Sequence, residues 1–170
     1  RTFQHTVALL LALEARLLHA GAGGVADHVE RAAAATADLL DRREAWLPEV
    51  HDLLTATGSV YLLAPSERIS SAEQGALMLR EGPRLQADAT ETGDWAHVDV
   101  YLTKPLDYRA LVFTGAAGDG EATRWLKERE ARFVAVSGEL DGASSCVRYP
   151  GDEIPEIALL TEVLVPELVA

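Results

Sequence analysis

The sequence predicts an α/β fold, a three-layer αβα sandwich built around a mostly parallel sheet and preceded by a helical N-terminal segment. Three observations predict it. Short apolar runs without alternation are typical of strands that are buried on both faces of a parallel sheet. Segments with helical spacing separate those runs. The first third of the chain is rich in Ala, Leu, Arg and Glu, which favour helices.

The N-terminal third is predicted to form helices. Apolar residues recur at steps of three and four over residues 7–18, and Gly21 with Gly23 ends the pattern. A second long helix is predicted over residues 27–46 and a short third helix over residues 48–56, opened by Pro48. These helices either cover a face of the sheet or form half of a helical dimer contact.

The α/β core is predicted to begin at Gly58, where the composition changes. We therefore assign residues 1–57 to a helical linker and N-terminal helices, and residues 58–170 to the core. Strands are predicted at residues 60–63, 110–113, 133–136 and 146–149. Helices are predicted at residues 69–81, 121–130 and 154–165. Pro155 starts the last of these helices and Pro166 ends it.

Length and composition exclude several classes of protein. A chain of 170 residues with 48% hydrophobic side chains is long and apolar enough for one globular domain, or for one and part of a second. The net charge of −12 makes nucleic acid and anionic membrane surfaces poor partners. Because Cys146 has no second cysteine to pair with, a disulfide framework is excluded, and we expect a cytoplasmic protein in which Cys146 is buried in a strand.

Ligands of open parallel sheets bind beyond the carboxyl ends of the strands. That rule selects residues 64–71, 114–120, 137–145 and 150–153. The hydroxyls of Ser66, Ser70 and Ser71 lie near the start of a predicted helix, where they could bind a ligand or where Ser70 or Ser71 could simply cap the helix. The glycine cluster at residues 115–120 is predicted to be a turn. The sequence has no glycine fingerprint for a dinucleotide and no helical His pair for zinc, so neither a cofactor nor a metal is expected.

Residues 71–81, within the helix predicted over residues 69–81, have the most distinctive pattern. Ala72, Ala76 and Leu79 share one apolar face, and Gly75 would allow the helix to approach the sheet closely. Glu81 ends the helix, where a carboxylate faces the negative end of the helix dipole. Such a carboxylate is either a base or a solvated side chain that pairs with a neighbour such as Arg84.

This segment resembles the E-G-A-L-K-L-K-E helix of sugar isomerase (SIS) domains. It is most similar to the second SIS domain in the isomerase half of glucosamine-6-phosphate synthase and its relatives. The resemblance extends to residues 1–7, which are similar to the segment that links two SIS domains, and to residues 86–97, 153–156 and 165–168. It implies a flavodoxin-like sheet and a phosphorylated sugar as the ligand.

The resemblance also implies roles for individual residues. Glu81 matches the base that moves a proton between C1 and C2 of an open-chain hexose phosphate, and His97 matches the histidine that assists ring opening. The roles suit the residues, because isomerisation through an enediol needs one base near both carbons and His exchanges protons near neutral pH. The expected substrate-binding residues are Ser66, Arg68, Gln74, Met78 and Arg80.

The departures from the family pattern leave two functions open. Gln74 replaces a glutamate, Met78 replaces a lysine, and His97-Val98-Asp99 replaces H-G-P. One function is an aldose–ketose isomerase or deaminase of sugar or aminosugar phosphates. The alternative is a non-catalytic sensor or structural module that binds sugar phosphates. Glutamine-dependent synthase activity is not expected, because no glutamine-hydrolysing domain is present in the sequence.

The expected partner is another SIS domain. We expect the chain to be the second half of a two-SIS protein and to form a homodimer. The Ala-rich segment at residues 32–35 and the leucines of the first helix would supply the contact.

Overall fold

The computed structural model describes residues 2–19 and 23–170, which form helices around a five-stranded sheet. The helices are α1 (Thr2–Leu17), α2 (Gly23–Asp41), α3 (Arg43–Thr55), α4 (Ile69–Glu81), α5 (Thr92–His97), α6 (Asp119–Glu128), α7 (Pro155–Thr161) and α8 (Leu164–Val169). The strands are β1 (Ser59–Ala64), β2 (Gln86–Glu91), β3 (Arg109–Phe113), β4 (Arg132–Val136) and β5 (Ser145–Val147). Short 3-10 helices lie at Ser66–Arg68 and Asp99–Thr103. The predictions for Arg1 and Gly21 fall outside the described residues.

The strands all run parallel, in the order β2-β1-β3-β4-β5. This is the flavodoxin-like order of a doubly wound sheet, and it confirms the predicted fold class. From β1 the chain first adds β2 on one side and then crosses back to add β3 on the other side, so the strand order reverses between β1 and β3. The carboxyl ends of these two strands therefore flank the crevice where sheets of this kind bind ligands.

Helices cover both faces of the sheet. On one face α3, α4, α7 and α8 form an apolar cluster with the sheet that includes Leu62 and Leu79. On the other face α5 and α6 form a second cluster that includes Trp95 and Leu126. α1 and α2 pack against α7 and add buried residues, among them Ala35 and Leu39 of α2, to the first cluster. The sheet is thus buried on both faces, as parallel sheets require.

The predicted strands at residues 60–63, 110–113 and 133–136 are confirmed as β1, β3 and β4. Their side chains are buried almost throughout, which explains the continuous apolar runs. The fourth strand, β5, ends at Val147 and is shorter than predicted. The sequence patterns did not predict β2 or α5. β2 lies at the edge of the sheet and carries mostly polar, partly exposed side chains, and α5 has only six residues.

α4 matches its predicted bounds and approaches the sheet closely at Gly75. A Cβ atom at this glycine would lie 2.7 Å from Cδ2 of Leu62 and 2.7 Å from Cγ of Pro166. The predicted close approach is therefore confirmed. The N-cap residue of α4 is Arg68, and Ser70 and Ser71 both lie within the helix, so the alternative in which one of these serines caps it is wrong.

Two predicted helix boundaries at prolines are wrong. Pro48 lies inside α3 rather than at its start. The helical segment is interrupted at Arg42, between α2 and α3, instead. Pro166 lies in the first turn of α8, where proline is tolerated. Its ring excludes a hydrogen bond to the carbonyl of Glu162, four residues earlier. The predicted single helix is therefore interrupted at Glu162 and Val163.

The surface differs from expectation at Cys146, which is exposed on β5 rather than buried. A three-residue edge strand covers its side chain too little to bury it. The α1 side chains of Leu9, Leu10, Leu13 and Leu17 are exposed, so the homodimer contact proposed for them remains a prediction. Among residues 2–19 and 23–170, no helix has the length and apolar character needed to cross a bilayer.

Candidate functional site

A cleft of about 360 Å³ opens at the carboxyl ends of the strands. We call it the strand-end cleft. It is lined by Pro65, Glu67, Arg68, Thr114, Gly115, Ser137, Asp152, Glu153 and Pro155. These residues follow β1, β3, β4 and β5 in turn, because parallel strands place all their carboxyl ends at one edge of the sheet. The cleft includes the crevice between β1 and β3, and its volume is within the range of small-molecule sites, roughly 300–1,000 Å³.

Arg68 forms the inner wall of the strand-end cleft. Its side chain is almost fully buried, and Nη1 donates a hydrogen bond to Oε2 of Glu162 over 2.5 Å. Nη2 donates to the backbone carbonyl of Thr114, at the end of β3. These contacts fix the guanidinium between the ends of β1 and β3. They use two of its five N–H donors.

Glu162 lies behind Arg68, at the junction of α7 and α8, and is fully buried. Burial raises the pKa of Glu162 to about 7, although the charge of Arg68, the nearby Ser71 hydroxyl and the hydrogen bonds from Ser137 and Arg68 oppose the shift. Its Oε2 also accepts a hydrogen bond from the Ser137 hydroxyl over 3.3 Å. Among the described residues, Oε1 of Glu162 and the buried hydroxyl of Ser71 make no hydrogen bond of good geometry.

Two loops bordering the cleft adopt unusual backbone conformations. Ser137 directly follows β4 with a φ of 70°, a left-handed conformation that is uncommon for a residue with a side chain. Its hydroxyl lies 2.5 Å from the phenolic oxygen of Tyr149. Gly115 has a φ of 112°, and its N–H donates to the Asp119 carboxylate over 2.6 Å. Glycine adopts a positive φ without strain, whereas strain of the kind seen at Ser137 is concentrated at functional sites.

The outer rim of the cleft is acidic. Glu67 and Glu153 are exposed there, whereas Asp152 is buried and accepts hydrogen bonds from Arg148 over 2.5 and 2.8 Å. Burial raises the pKa of Asp152, but the hydrogen bonds from Arg148 and the Tyr149 N–H together with the charge of Arg148 outweigh burial and hold that pKa below its usual value. Asp152 therefore remains a carboxylate, and its charge is balanced by Arg148.

The structure separates the residues that the sequence assigned to substrate binding. Arg68 lines the strand-end cleft, and Ser66 is exposed at the start of the same 3-10 helix. Gln74 and Met78 are half-buried on α4 and line a groove against α1 and α8. Arg80 donates a hydrogen bond to the carbonyl of Ala87 over 2.5 Å.

Glu81 and His97 lie on helices that cover opposite faces of the sheet. Glu81 is the last residue of α4 and His97 is the last residue of α5, and both side chains are exposed. α4 has 13 residues, so its length places Glu81 about 18 Å from the end nearest Arg68. One hexose phosphate cannot contact both ends of that helix.

Sequence reasoning selected the loops that form the cleft but missed most of its residues. Thr114, Ser137 and Asp152 lie in the selected loops, yet nothing in the sequence distinguishes them from their neighbours. Glu162 was missed although a signal exists, because it is a lone carboxylate within the apolar segment 157–165. A charge in such a segment indicates a buried partner. Residues 2–19 and 23–170 contain no cluster of His, Cys, Asp and Glu arranged to hold a metal ion.

Comparison with known proteins finds similarity in structure only. No protein-family model and no curated protein sequence matches the chain. The C-terminal domain of glucosamine-fructose-6-phosphate aminotransferase from Francisella tularensis superposes on 86% of this chain with a TM-score of 0.67 and 14% identity. A proposed phosphosugar isomerase from Silicibacter pomeroyi superposes on 72% of it with a TM-score of 0.55 and 20% identity.

A third similar structure is a proposed sugar-phosphate isomerase from Listeria monocytogenes, which superposes on 85% of this chain with a TM-score of 0.59 and 10% identity. The chain spans 42% and 38% of the first two proteins and 86% of the third. The resemblance to SIS domains is confirmed at the level of the fold.

Proposed function

Because this chain has the SIS fold, we propose that it is a domain that binds a sugar phosphate in the strand-end cleft. The observation that carries the proposal is the position of Arg68, an almost buried cation at the point where the strand order reverses. The three structural neighbours include two proposed sugar-phosphate isomerases and an aminotransferase named for fructose 6-phosphate.

In this proposal, Arg68 holds the phosphoryl group with the N–H donors that Glu162 and Thr114 leave free. A guanidinium suits this task, because its planar fork matches phosphate oxygens. The carboxylates of Glu67 and Glu153 at the rim accept hydrogen bonds from the sugar hydroxyls. The hydroxyl of Ser137 adds a polar contact inside the cleft.

A finer proposal is that the domain contributes to an aldose–ketose isomerase. Glu81 acts as the base and His97 assists ring opening, as the family resemblance implies. Both side chains are exposed and lie on opposite faces of the sheet, so they require a second SIS domain or a second copy of the chain to complete a site. This is the reason to expect such a partner.

The non-catalytic binding module remains the second candidate. Met78 takes the position of a lysine in the family motif, and a thioether cannot stabilise a developing enediolate as an ammonium does. The distance along α4 also separates Arg68 from Glu81. A sugar phosphate bound at Arg68 is therefore out of reach of Glu81 in the same chain.

Calorimetric titration with glucose 6-phosphate, fructose 6-phosphate and unphosphorylated glucose tests the binding proposal. We expect saturable binding of a phosphate ester and none of glucose. Arg68→Lys keeps the charge beside Glu162 but removes the fork, and should weaken binding by at least about tenfold. Arg43→Lys, on an exposed helix surface, is the control. Equal binding of the parent and Arg68→Lys proteins would overturn the assignment.

A further inference from the structure

We propose that anion binding in the strand-end cleft is coupled to the uptake of one proton by the carboxyl group of Glu162, which frees the charge of Arg68 for the anion. The inference rests on the proposed sugar-phosphate site. It adds Glu162, a residue behind the cleft wall, as the group that sets the charge of that site.

The geometry places Arg68 between two competing anions. Glu162 is fully buried on the inner side of the guanidinium, and the cleft opens on its outer side. The hydrogen bond to the Thr114 carbonyl keeps the guanidinium in place. An anion in the cleft must therefore share Arg68 with Glu162, because the side chain is held between them.

The groups around this pair make the resting cleft unfavourable for an anion. Glu67 and Glu153 are acidic and line the cleft, while Asp152 is balanced by Arg148. Asp119, at the start of α6, is close enough for its charge to interact with that of Arg68. With Asp152 paired to Arg148, the carboxylates of Glu67, Glu153, Asp119 and an ionised Glu162 outnumber the guanidinium of Arg68. When Glu162 is protonated, it no longer neutralises Arg68, and the positive charge of Arg68 is available to an anion in the cleft.

The surroundings of Glu162 allow it to hold that proton. Oε1 of Glu162 and the Ser71 hydroxyl are both buried, and neither makes a hydrogen bond of good geometry among the described residues. A hydroxyl near the carboxyl can donate to its ionised form, which lowers the pKa, and can equally accept from its protonated form. Burial raises the pKa of Glu162 to about 7. Burial also raises the pKa of Tyr149, so this neighbour remains neutral and does not compete for the proton.

Binding and protonation are then linked in both directions. An anion at Arg68 weakens the attraction between the guanidinium and the Glu162 carboxylate, which favours protonation of that carboxylate. By linkage, protonation of Glu162 strengthens anion binding by the same factor. Affinity should therefore fall as the pH rises through the range in which Glu162 loses its proton.

Inorganic sulfate and glucose 6-phosphate are the probes. Sulfate does not titrate near neutral pH, so any pH dependence of its binding comes from the protein. We expect the Kd for sulfate to be roughly tenfold higher at about pH 8 than at about pH 6. Calorimetry of the parent protein in buffers with different ionisation enthalpies should show proton uptake on binding near neutral pH.

Glu162→Gln assigns the effect to this residue. The amide is neutral at all pH values and still offers Arg68 an oxygen acceptor, so sulfate should bind tightly without a pH dependence. Glu49→Gln makes the same change on the exposed surface of α3 and should retain the parent profile. If Glu162→Gln does not fold, NMR titration of the Glu162 carboxyl in the parent protein should show its pKa rising when sulfate is added.

The outcomes separate the two proposals. Binding of glucose 6-phosphate together with a pH-independent Kd for sulfate would overturn the proton coupling and leave the binding function intact. A pH dependence retained in Glu162→Gln would also overturn it, as would a Glu162 pKa that sulfate does not change. If the parent protein binds neither probe, both proposals fail.

Discussion

Nη1 of Arg68 lies 2.5 Å from Oε2 of Glu162, although the two residues are 94 positions apart in the sequence. The pair joins the segment that follows β1 to the junction of α7 and α8. Both side chains are nearly or fully buried, so each depends on the other for the stability of its charge.

Loss of the guanidinium should destabilise the fold. In Arg68→Met the buried carboxyl of Glu162 loses its cation and takes up a proton at neutral pH, and the Thr114 carbonyl loses its donor, so we expect the free energy of unfolding to fall by about 1–3 kcal/mol. Urea unfolding followed by circular dichroism measures the change. Arg42→Met removes the exposed pair with Asp38 and should cost less than about 1 kcal/mol. Similar losses in the two variants would contradict this account of the buried pair.

Glu162 should also make stability depend on pH. Its pKa in the folded protein is raised to about 7, above its value in the unfolded chain. The folded state therefore binds more protons than the unfolded state between the two pKa values, and the contribution of Glu162 to stability is lost as the pH rises through that window. Compared with Glu162→Gln, the parent should lose stability by up to about 1.4 kcal/mol per pH unit there. Parallel stability profiles for the two proteins would show that Glu162 has no raised pKa.

Gly75→Ala should destabilise the contact between α4 and β1. The added methyl group would lie 2.7 Å from Leu62 and from Pro166, both in the packed interior, so we expect a loss of about 1–3 kcal/mol. Gly120→Ala is the matched control in α6, where a Cβ meets nothing within 4 Å, and it should be neutral or stabilising by up to about 1 kcal/mol. Thermal unfolding would distinguish them. A neutral Gly75→Ala would show that the close approach can relax without cost.

Tyr108→Phe should cost about 1–3 kcal/mol. The Tyr108 hydroxyl accepts a hydrogen bond from Nε1 of Trp95 over 2.8 Å in the buried cluster beneath α5, and its removal leaves the indole N–H unpaired. Tyr101→Phe, which changes an exposed ring in the neighbouring 3-10 helix, should change stability by less than about 0.5 kcal/mol. Equal effects in urea unfolding would contradict a role for this hydrogen bond.

If the chain contributes to an isomerase, Glu81→Gln in the full-length protein should reduce kcat for interconversion of glucose 6-phosphate and fructose 6-phosphate by at least about a hundredfold. KM should change little, because a general base stabilises the transition state of proton transfer and not the bound substrate. Glu128→Gln changes a glutamate at the equivalent end of α6 and should retain the parent rate. A parent protein that binds sugar phosphates without converting them would favour the non-catalytic module.

The pattern of the sequence specified much of the fold. β1, β3 and β4 are continuous apolar runs because the sheet is covered on both faces, and the periodicity of α4 reproduced its bounds. β2 gave no such signal because an edge strand is only partly buried and needs few apolar side chains. The family resemblance reached that region through residues 86–97 where periodicity did not.

The chain's local sequence determined which segments are buried and where its parallel strands end, because burial leaves an apolar pattern that neighbouring residues share. Only the tertiary structure decided that Arg68 faces Glu162 and that Glu81 lies at the opposite end of α4 from the strand-end cleft. Contacts between residues about a hundred positions apart depend on strand order and helix packing. Local sequence patterns contain no information on strand order or helix packing. The pairing of Arg68 with Glu162 and the distance of Glu81 from the cleft are therefore decided by the tertiary structure.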